Sequence, residues 1–408
     1  MFLPSASDRE LGRAPLSLLV FLSLMTSVVA LTIDAILPAL DGISDDLAFQ
    51  DPADRQLIVL IVFAGMGSGQ PIFGPLSDAI GRRNTAMIGW GIYIIGAVVA
   101  MTAGGLWGML AGRFLQGIGA AGPRIVAAAI VRDLYSGRPM ARILSLIMTI
   151  FMLVPMLAPL IGQGLEYLAG WRAIFTLYLV MAVVCVIWHL MAIPETLAPE
   201  HVRPLSFRPL ADAFIEVFRT RKTMLYTMAS ASIFGAFAAF LAGAQQIYEE
   251  IYGLGPLFPI LFAATGAIFA CAQFANSRLV MTWGMRGICR IAAGLVVVSA
   301  LSLFLAGQIW YGPVPPFWIF FVSMIPIFIG SALMFSNLTA LTLDPLGHIA
   351  GTASAVVMSV STIVATPLGM FFASQIDGTV QPILTAFAIL GALSFLFIIT
   401  ADRDREAP

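Results

Sequence analysis

Twelve long apolar runs divide this chain, and they constrain its fold more than any other feature. Each run has about 17 to 25 residues, which is the length that an α-helix needs to cross the hydrocarbon core of a bilayer. The pattern predicts an all-α membrane protein with twelve transmembrane helices, named here spans 1 to 12. In chain order they cover Leu16–Leu37, Leu57–Phe73, Thr85–Ala103, Leu106–Ala129, Leu144–Leu165, Ile174–Ile193, Met224–Ile247, Leu257–Val280, Ile288–Leu305, Phe317–Leu338, Ile349–Phe372 and Pro382–Ile399.

The composition agrees with a chain that lives in a lipid bilayer. Hydrophobic residues make up 60% of the sequence and charged residues 11%, whereas a soluble domain carries about 25% charged residues. The sequence shows no cluster of metal ligands, no Ser-His-Asp arrangement and no phosphate-binding glycine loop. We therefore expect no enzyme, no catalytic residue, no cofactor or metal and no nucleic-acid partner. The three cysteines, Cys185, Cys271 and Cys289, are expected to fill space in or beside the spans.

The positive charges predict the orientation in the membrane. If the N-terminus is cytoplasmic, 17 of the 21 Lys and Arg residues fall on the cytoplasmic side. Only Arg55 and Arg172 then lie outside, and Arg113 and Arg124 lie inside a span. This bias predicts that both termini and the loop 194–222 are cytoplasmic.

The longest polar connection, 194–222, follows six spans and precedes six more. It predicts an N-terminal six-helix bundle over 1–193, a cytoplasmic linker over 194–222 and a C-terminal bundle over 223–408. Gly284 follows Gly81 by 203 residues in a similar loop, which is the pattern expected of two parallel repeats about an axis along the membrane normal.

A short polar stretch between spans 2 and 3, residues 74–84, reads Gly-Pro-Leu-Ser-Asp-Ala-Ile-Gly-Arg-Arg-Asn. We predict a tight loop at the cytoplasmic face, in which glycines permit a sharp turn. Its aspartate can cap a helix end or pair with an arginine. An ordinary helix turn with anchoring arginines would explain part of the pattern. The residues singled out as a gate or latch are Gly74, Asp78, Gly81, Arg82 and Arg83, together with Asp133 at the cytoplasmic end of span 4.

Two charged residues inside the N-terminal spans are candidates for proton coupling. Asp34 lies in the outer part of span 1, before Pro38, and a carboxylate at that depth should face a cavity or a partner. The alternative is an aspartate in the headgroup region. Arg113 in span 4 must find a carboxylate or a carbonyl group, so it is expected to compete with the proton for Asp34 or to tie span 4 to span 1.

Other polar and aromatic positions suggest a bent helix and a substrate cavity. Pro155 and Pro159, with Gly162, are expected to bend span 5 beside protein or water. The substrate cavity is expected to involve Asp34, Gln116, Phe237, Gln245 and Asn337. For the side chains of spans 7 and 10 in this set, helix packing is the competing explanation.

These motifs together resemble the major facilitator superfamily across most of the chain. The stretch from Gln70 to Arg83 is similar to its loop motif, and Arg113 to Ala121 is similar to its span 4 motif. Ala158-Pro159 with Gly162 resembles its antiporter motif, although Gln163 stands where a second glycine is common. Asp34 to Leu40 and Gly351 to Ala355 resemble the bicyclomycin and chloramphenicol resistance (Bcr/CflA) branch. That branch often has Ser-Pro where this chain has Ala244-Gln245, which leaves the substrate open.

The resemblance implies two pseudo-symmetric six-helix bundles and drug:proton antiport. We expect proton-coupled efflux of small, largely apolar compounds across the inner membrane by alternating access, performed by a monomer. The partners implied are the substrate, protons and the lipid bilayer. The alternatives are a metabolite or siderophore exporter, an uptake symporter on the same fold, and a membrane sensor that transports nothing.

Overall fold

The computed structural model describes residues 14–49, 51, 54–135, 137–199, 202 and 208–403. The N-terminal segment with Arg9 and Arg13, most of the linker between 200 and 207, and the tail with Arg405 lie outside the described residues. Nothing is described of the Thr352 side chain in the Bcr/CflA-like segment. Within the described ranges every regular element is a helix, so the expected all-α class is confirmed.

The helices follow the apolar runs closely. The long ones are Leu16–Asp34, Asp54–Ile80, Arg82–Met101, Leu106–Leu134, Gly137–Ala169, Arg172–Ala192, Arg221–Gln245, Phe258–Ala306, Phe317–Leu343, Ala350–Ala373 and Gln381–Arg403. A shorter helix, Leu40–Asp46, follows span 1, and another, Arg208–Arg219, precedes span 7.

Eleven stretches of the described residues are long and apolar enough to cross a membrane. They correspond to the predicted spans except span 5. That span lies within the helix Gly137–Ala169, where several side chains fall outside the described set. Spans 8 and 9 are joined in the single element Phe258–Ala306, which is interrupted at Gly284, where φ is 67°.

Two of the boundaries that differ from the sequence prediction move a candidate residue. The α-helix of span 1 ends at Asp34, and Pro38 lies in a 3-10 turn over Leu37–Ala39. The predicted loop over 74–84 is wrong in extent, because the preceding helix continues to Ile80 and the next one begins at Arg82. Only Gly81 is non-helical, with φ of 91°, a value that favours glycine. Asp78 therefore lies in the last turn of a helix and not in a loop.

The chain forms two compact units. The first comprises 1–49 and 61–210, and the second comprises 50–60 and 211–408. The first residues of the helix Asp54–Ile80 thus belong to the second unit. There Arg55 donates a hydrogen bond to Glu250 at 2.5 Å, and Gln56 donates one to Gln246 at 2.8 Å.

In the first unit, span 4 packs backbone to backbone against spans 2 and 3. A Cβ added at Gly117 would overlap the carbonyl oxygen of Val62 in span 2. A Cβ at Gly119 would overlap the backbone nitrogen of Tyr93 in span 3. Small residues allow this approach, which replaces side-chain packing by direct contact between helices.

Candidate functional site

Asp34 is the last residue of the span 1 helix, and it is 5% exposed. Within the part of the chain that the structure describes, its carboxylate accepts no hydrogen bond and forms no ion pair. A buried carboxylate without a partner is costly as an anion, and protonation or a bound cation removes that cost. This position is therefore suited to exchange a charged ligand or a proton.

Arg113 is fully buried and satisfies its guanidinium near Asp34, but not with it. Its Nη2 donates to the carbonyl oxygen of Thr32 at 2.7 Å, and its Nη1 donates to Gln116 Oε1 at 3.1 Å. Among the described residues no salt bridge joins Arg113 to Asp34. The Arg113 side chain thus connects span 4 to span 1 through a backbone carbonyl two residues before Asp34. This contact is the tie between the two spans that the sequence analysis set beside competition with the proton.

A second contact fixes the chain beside Asp34 from span 5. A Cβ added at Gly162 would overlap the carbonyl oxygen of Ala35, so the two helices touch at the residue that follows Asp34. Gly164 in the same helix has open space at its Cβ. Pro155 and Pro159 lie inside the continuous helix Gly137–Ala169, one turn apart.

Arg82, the first residue of the span 3 helix, is the centre of a group that we call the Arg82 cluster, formed with Ser77, Asp78 and Asp133. Arg82 binds Asp133 through two nitrogens, at 2.8 and 3.1 Å, and Asp78 at 2.7 Å. It also donates to Ser77 Oγ at 3.0 Å. The arginine side chain is only 4% exposed, so these bonds lie in a partly dry environment. The cluster connects the ends of spans 2, 3 and 4 in the first unit.

Glu195, which the sequence analysis did not select, completes this region. Its carboxylate accepts hydrogen bonds from the backbone nitrogens of Arg82 at 2.9 Å and Arg83 at 3.1 Å, at the N-terminus of the span 3 helix. A carboxylate stabilises the free N–H groups and the positive end of the helix dipole there. The neighbouring Thr196 donates to Asp133 at 3.0 Å. An acidic residue directly after span 6, amid many arginines, was the available signal.

The other predicted latch residues contribute differently. Arg83 donates through Nη2 to the carbonyl oxygen of Leu190 at 3.1 Å, and not to Asp78. Gly74 has nothing within 4 Å of an added Cβ, so no close helix approach explains it.

The expected cavity residues of the second unit are engaged with protein groups. Gln245 donates to Glu249 at 2.8 Å, and Asn337 donates to Asn276 of span 8 at 2.7 Å. Phe237 is half-buried, with its ring centroid 4.9 Å from that of Phe269. The asparagine pair is the interhelical packing that competed with a substrate role.

The second unit has a charged group at its own span ends that the sequence analysis also missed. Asp402, at the end of span 12, accepts hydrogen bonds from Arg290 at 2.7 Å and from the Tyr226 hydroxyl at 2.6 Å. Arg286 lies 3.6 Å from it. Gly284 precedes these arginines with a positive φ, as Gly81 precedes Arg82. Asp402 itself gave no signal, because it lies more than 100 residues from its partners in the sequence.

Comparisons with known proteins agree with this architecture. The sequence profile of the Major Facilitator Superfamily matches residues 22–370. The chain is 27% identical to a bicyclomycin resistance protein homolog of Haemophilus influenzae, over 93% of this chain and 96% of that protein. It is 26% identical to a chloramphenicol resistance protein of Pseudomonas aeruginosa, over 93% of this chain and 90% of that protein.

A solved structure has the same fold. The crystal structure of a D-xylose-proton symporter superposes with a TM-score of 0.77 at 15% identity, covering 94% of this chain and 96% of that one. At that identity the similarity concerns the fold alone. The chain is a multi-pass membrane transporter, not an enzyme, and it belongs to the Major Facilitator Superfamily.

Proposed function

We propose that this protein exports small, largely apolar compounds across the inner membrane in exchange for protons. Relatives named for resistance to bicyclomycin, chloramphenicol and several drugs support export of foreign compounds. The charge bias of the sequence supports cytoplasmic termini. The protein acts as a monomer, with bundles over 1–193 and 223–408 that alternate access to one cavity.

The buried and unpaired carboxylate of Asp34 carries this proposal. As an anion it needs a cation, and it can be satisfied by a proton or by a positively charged substrate but not by both at once. A proton moving inward down a potential of 100 mV supplies about 2.3 kcal/mol per charge. Asp34 is therefore the group on which the proton and the substrate compete.

Arg113 acts in this scheme as a positioning residue. Its bond to the Thr32 carbonyl fixes the end of span 1 just before Asp34. Gly162 fixes the other side through its contact with Ala35. Because a contact fixes the backbone on each side of Asp34, proton binding can be transmitted to spans 4 and 5.

The Arg82 cluster holds the cytoplasmic gate in one of its states. It joins three span ends through partly buried charged hydrogen bonds that all depend on one arginine. Gly81 supplies the turn that brings Arg82 to Asp78 and Asp133. Arg83 adds a bond from span 3 to the Leu190 carbonyl of span 6, whereas Gly74 makes no close contact in this state of the latch.

The substrate meets the amide of Gln116 and the ring of Phe237. Gln116 Nε2 is fully buried and donates no hydrogen bond within the described structure. Such a donor is available to a substrate carbonyl or hydroxyl group. Gln245 and Asn337 must exchange their present hydrogen bonds to reach a substrate.

The proposal is tested by purified protein in proteoliposomes with an imposed pH gradient, using the neutral compound chloramphenicol and the lipophilic cation tetraphenylphosphonium as probes. For the wild type we expect gradient-driven accumulation of both probes, and proton release in detergent when the cation binds. Accumulation and proton release should be lost in Asp34→Asn and kept in Asp45→Asn, which changes an exposed carboxylate near the end of span 1.

Proton release and gradient-driven flux that survive in Asp34→Asn would exclude Asp34 as the coupling group. Accumulation in the direction of proton flow would instead identify an uptake symporter.

A further inference from the structure

Arg124 lies in span 4, well inside the membrane by sequence, and neither the Asp34 scheme nor the Arg82 cluster uses it. It follows Arg113 by eleven residues, which places the two within about 20° of each other around the helix. Ala128, one turn after Arg124 and about 40° from it around the helix, is exposed, and Arg124 itself is half-buried. The arginine therefore lies beside an open part of the surface of span 4.

The guanidinium of Arg124 differs from that of Arg113 in having no protein partner. Within the described chain it makes no hydrogen bond and no ion pair, although the side chain is only partly exposed. An arginine at this depth is costly and normally pairs with a carboxylate or with backbone carbonyls. Its five N–H donors match a carboxylate or phosphate in a two-point geometry.

Gln116 supplies an independent observation on the same helix. It lies eight residues before Arg124, is fully buried, and has an Nε2 group without an acceptor. Arg113, the other polar group on this stretch, is already satisfied by Thr32 and Gln116 Oε1. Arg124 and the Nε2 group of Gln116 are thus hydrogen-bond donors without an acceptor among the described residues. A bound ligand can supply the missing acceptor.

We propose that Arg124 binds an anionic group of the exported compound, so that the substrates include carboxylates and amphoteric molecules. This inference rests on the proposed export function. Gln116 binds a neutral acceptor on the same molecule about 12 Å further along the helix axis. A compound with an apolar body and one acidic end fits this arrangement of donors.

The test uses two probes that share one scaffold, chloramphenicol and its hemisuccinate ester, which adds a carboxylate. Binding to the purified full-length protein is measured by calorimetry. We expect the wild type to bind the ester at least tenfold more tightly than Arg124→Gln does. The neutral parent should bind the two proteins within a factor of two, and Arg124→Lys should recover part of the ester affinity. Arg132→Gln, an exposed arginine two turns further along the helix, serves as the matched control.

The outcomes separate this inference from the proposed function. Equal affinity of the wild type and Arg124→Gln for the ester overturns it, and so does a wild type that binds no ester. Loss of both probes in Arg124→Gln gives Arg124 a structural role and also overturns it. None of these results affects proton-coupled export of the neutral parent, which is measured separately in proteoliposomes.

Discussion

The two carboxylates that bind Arg82 should contribute unequally to the stability of the first unit. Asp133 is 14% exposed and takes two hydrogen bonds from Arg82, whereas Asp78 is 41% exposed and takes one. Exchanging each carboxylate for an amide, Asp133→Asn and Asp78→Asn, removes the charge and keeps the shape. We expect the first change to destabilise the protein several times more than the second.

The magnitude follows from burial. A hydrogen bond to a charged group in a dry site contributes about 1.5–3 kcal/mol, whereas an exposed ion pair contributes about 0.2–1 kcal/mol. One kcal/mol shifts the melting temperature by about 2–4 °C in a unit of 150–250 residues, and the first unit falls in that range. Asp133→Asn should therefore lower Tm by about 3–12 °C and Asp78→Asn by about 0.4–4 °C.

The chain contains its own reporter for this measurement. Cys185 is fully buried in the first unit, so a thiol-reactive dye reports its exposure on heating. Replacing Cys271 and Cys289 by serine leaves Cys185 as the single reporter thiol. Double-mutant cycles with Arg82→Gln then give the two coupling energies. Equal coupling for Asp133 and Asp78 would refute the argument that burial sets the difference.

Four further changes have defined outcomes. Gly162→Val should reduce proton-driven export by tenfold or more, because the valine side chain overlaps the Ala35 carbonyl. Gly164→Ala, whose added Cβ meets open space, should export normally. Equal activity of the two variants would show that the contact with Ala35 is unimportant. Glu195→Gln should raise hydrogen exchange at the first amides of span 3, since the helix N-terminus loses its anionic acceptor; unchanged exchange there would argue against this role. Gly81→Ala should lower Tm more than Gly74→Ala does, because only Gly81 has a positive φ, and thermal denaturation of both variants checks this order. Asp78→Asn should impair transport at normal expression, and wild-type flux would reduce its pair with Arg82 to a structural contact.

Much of the helical scaffold could be predicted because hydrophobic length acts locally along the chain. The same local reasoning failed at the 74–84 stretch. Pro75 and Gly74 are turn signals in soluble proteins, but the helix passes through both and breaks only at Gly81. In a bilayer, neighbouring helices satisfy the backbone around such residues, so they break helices less often.

The partners of the charged groups could not be predicted in the same way. Glu195 contacts the backbone of Arg82 across 113 residues of sequence, and its charge among arginines marks it as a candidate partner without indicating which residue it contacts. Arg113 was correctly expected to need an acceptor, yet the choice between the carboxylate of Asp34 and a backbone carbonyl depends on helix rotation. Hydropathy determines which residues are buried but not which face of one helix meets which face of the next.

The backbone contacts around Gly117 and Gly119 limit how the first unit can move. Where main chain touches main chain, no rotamers remain that could rearrange to absorb sliding or rotation of one helix past another. Spans 2, 3 and 4 must therefore turn together as one rigid body. Motion within this unit has to arise where that body meets spans 1, 5 and 6.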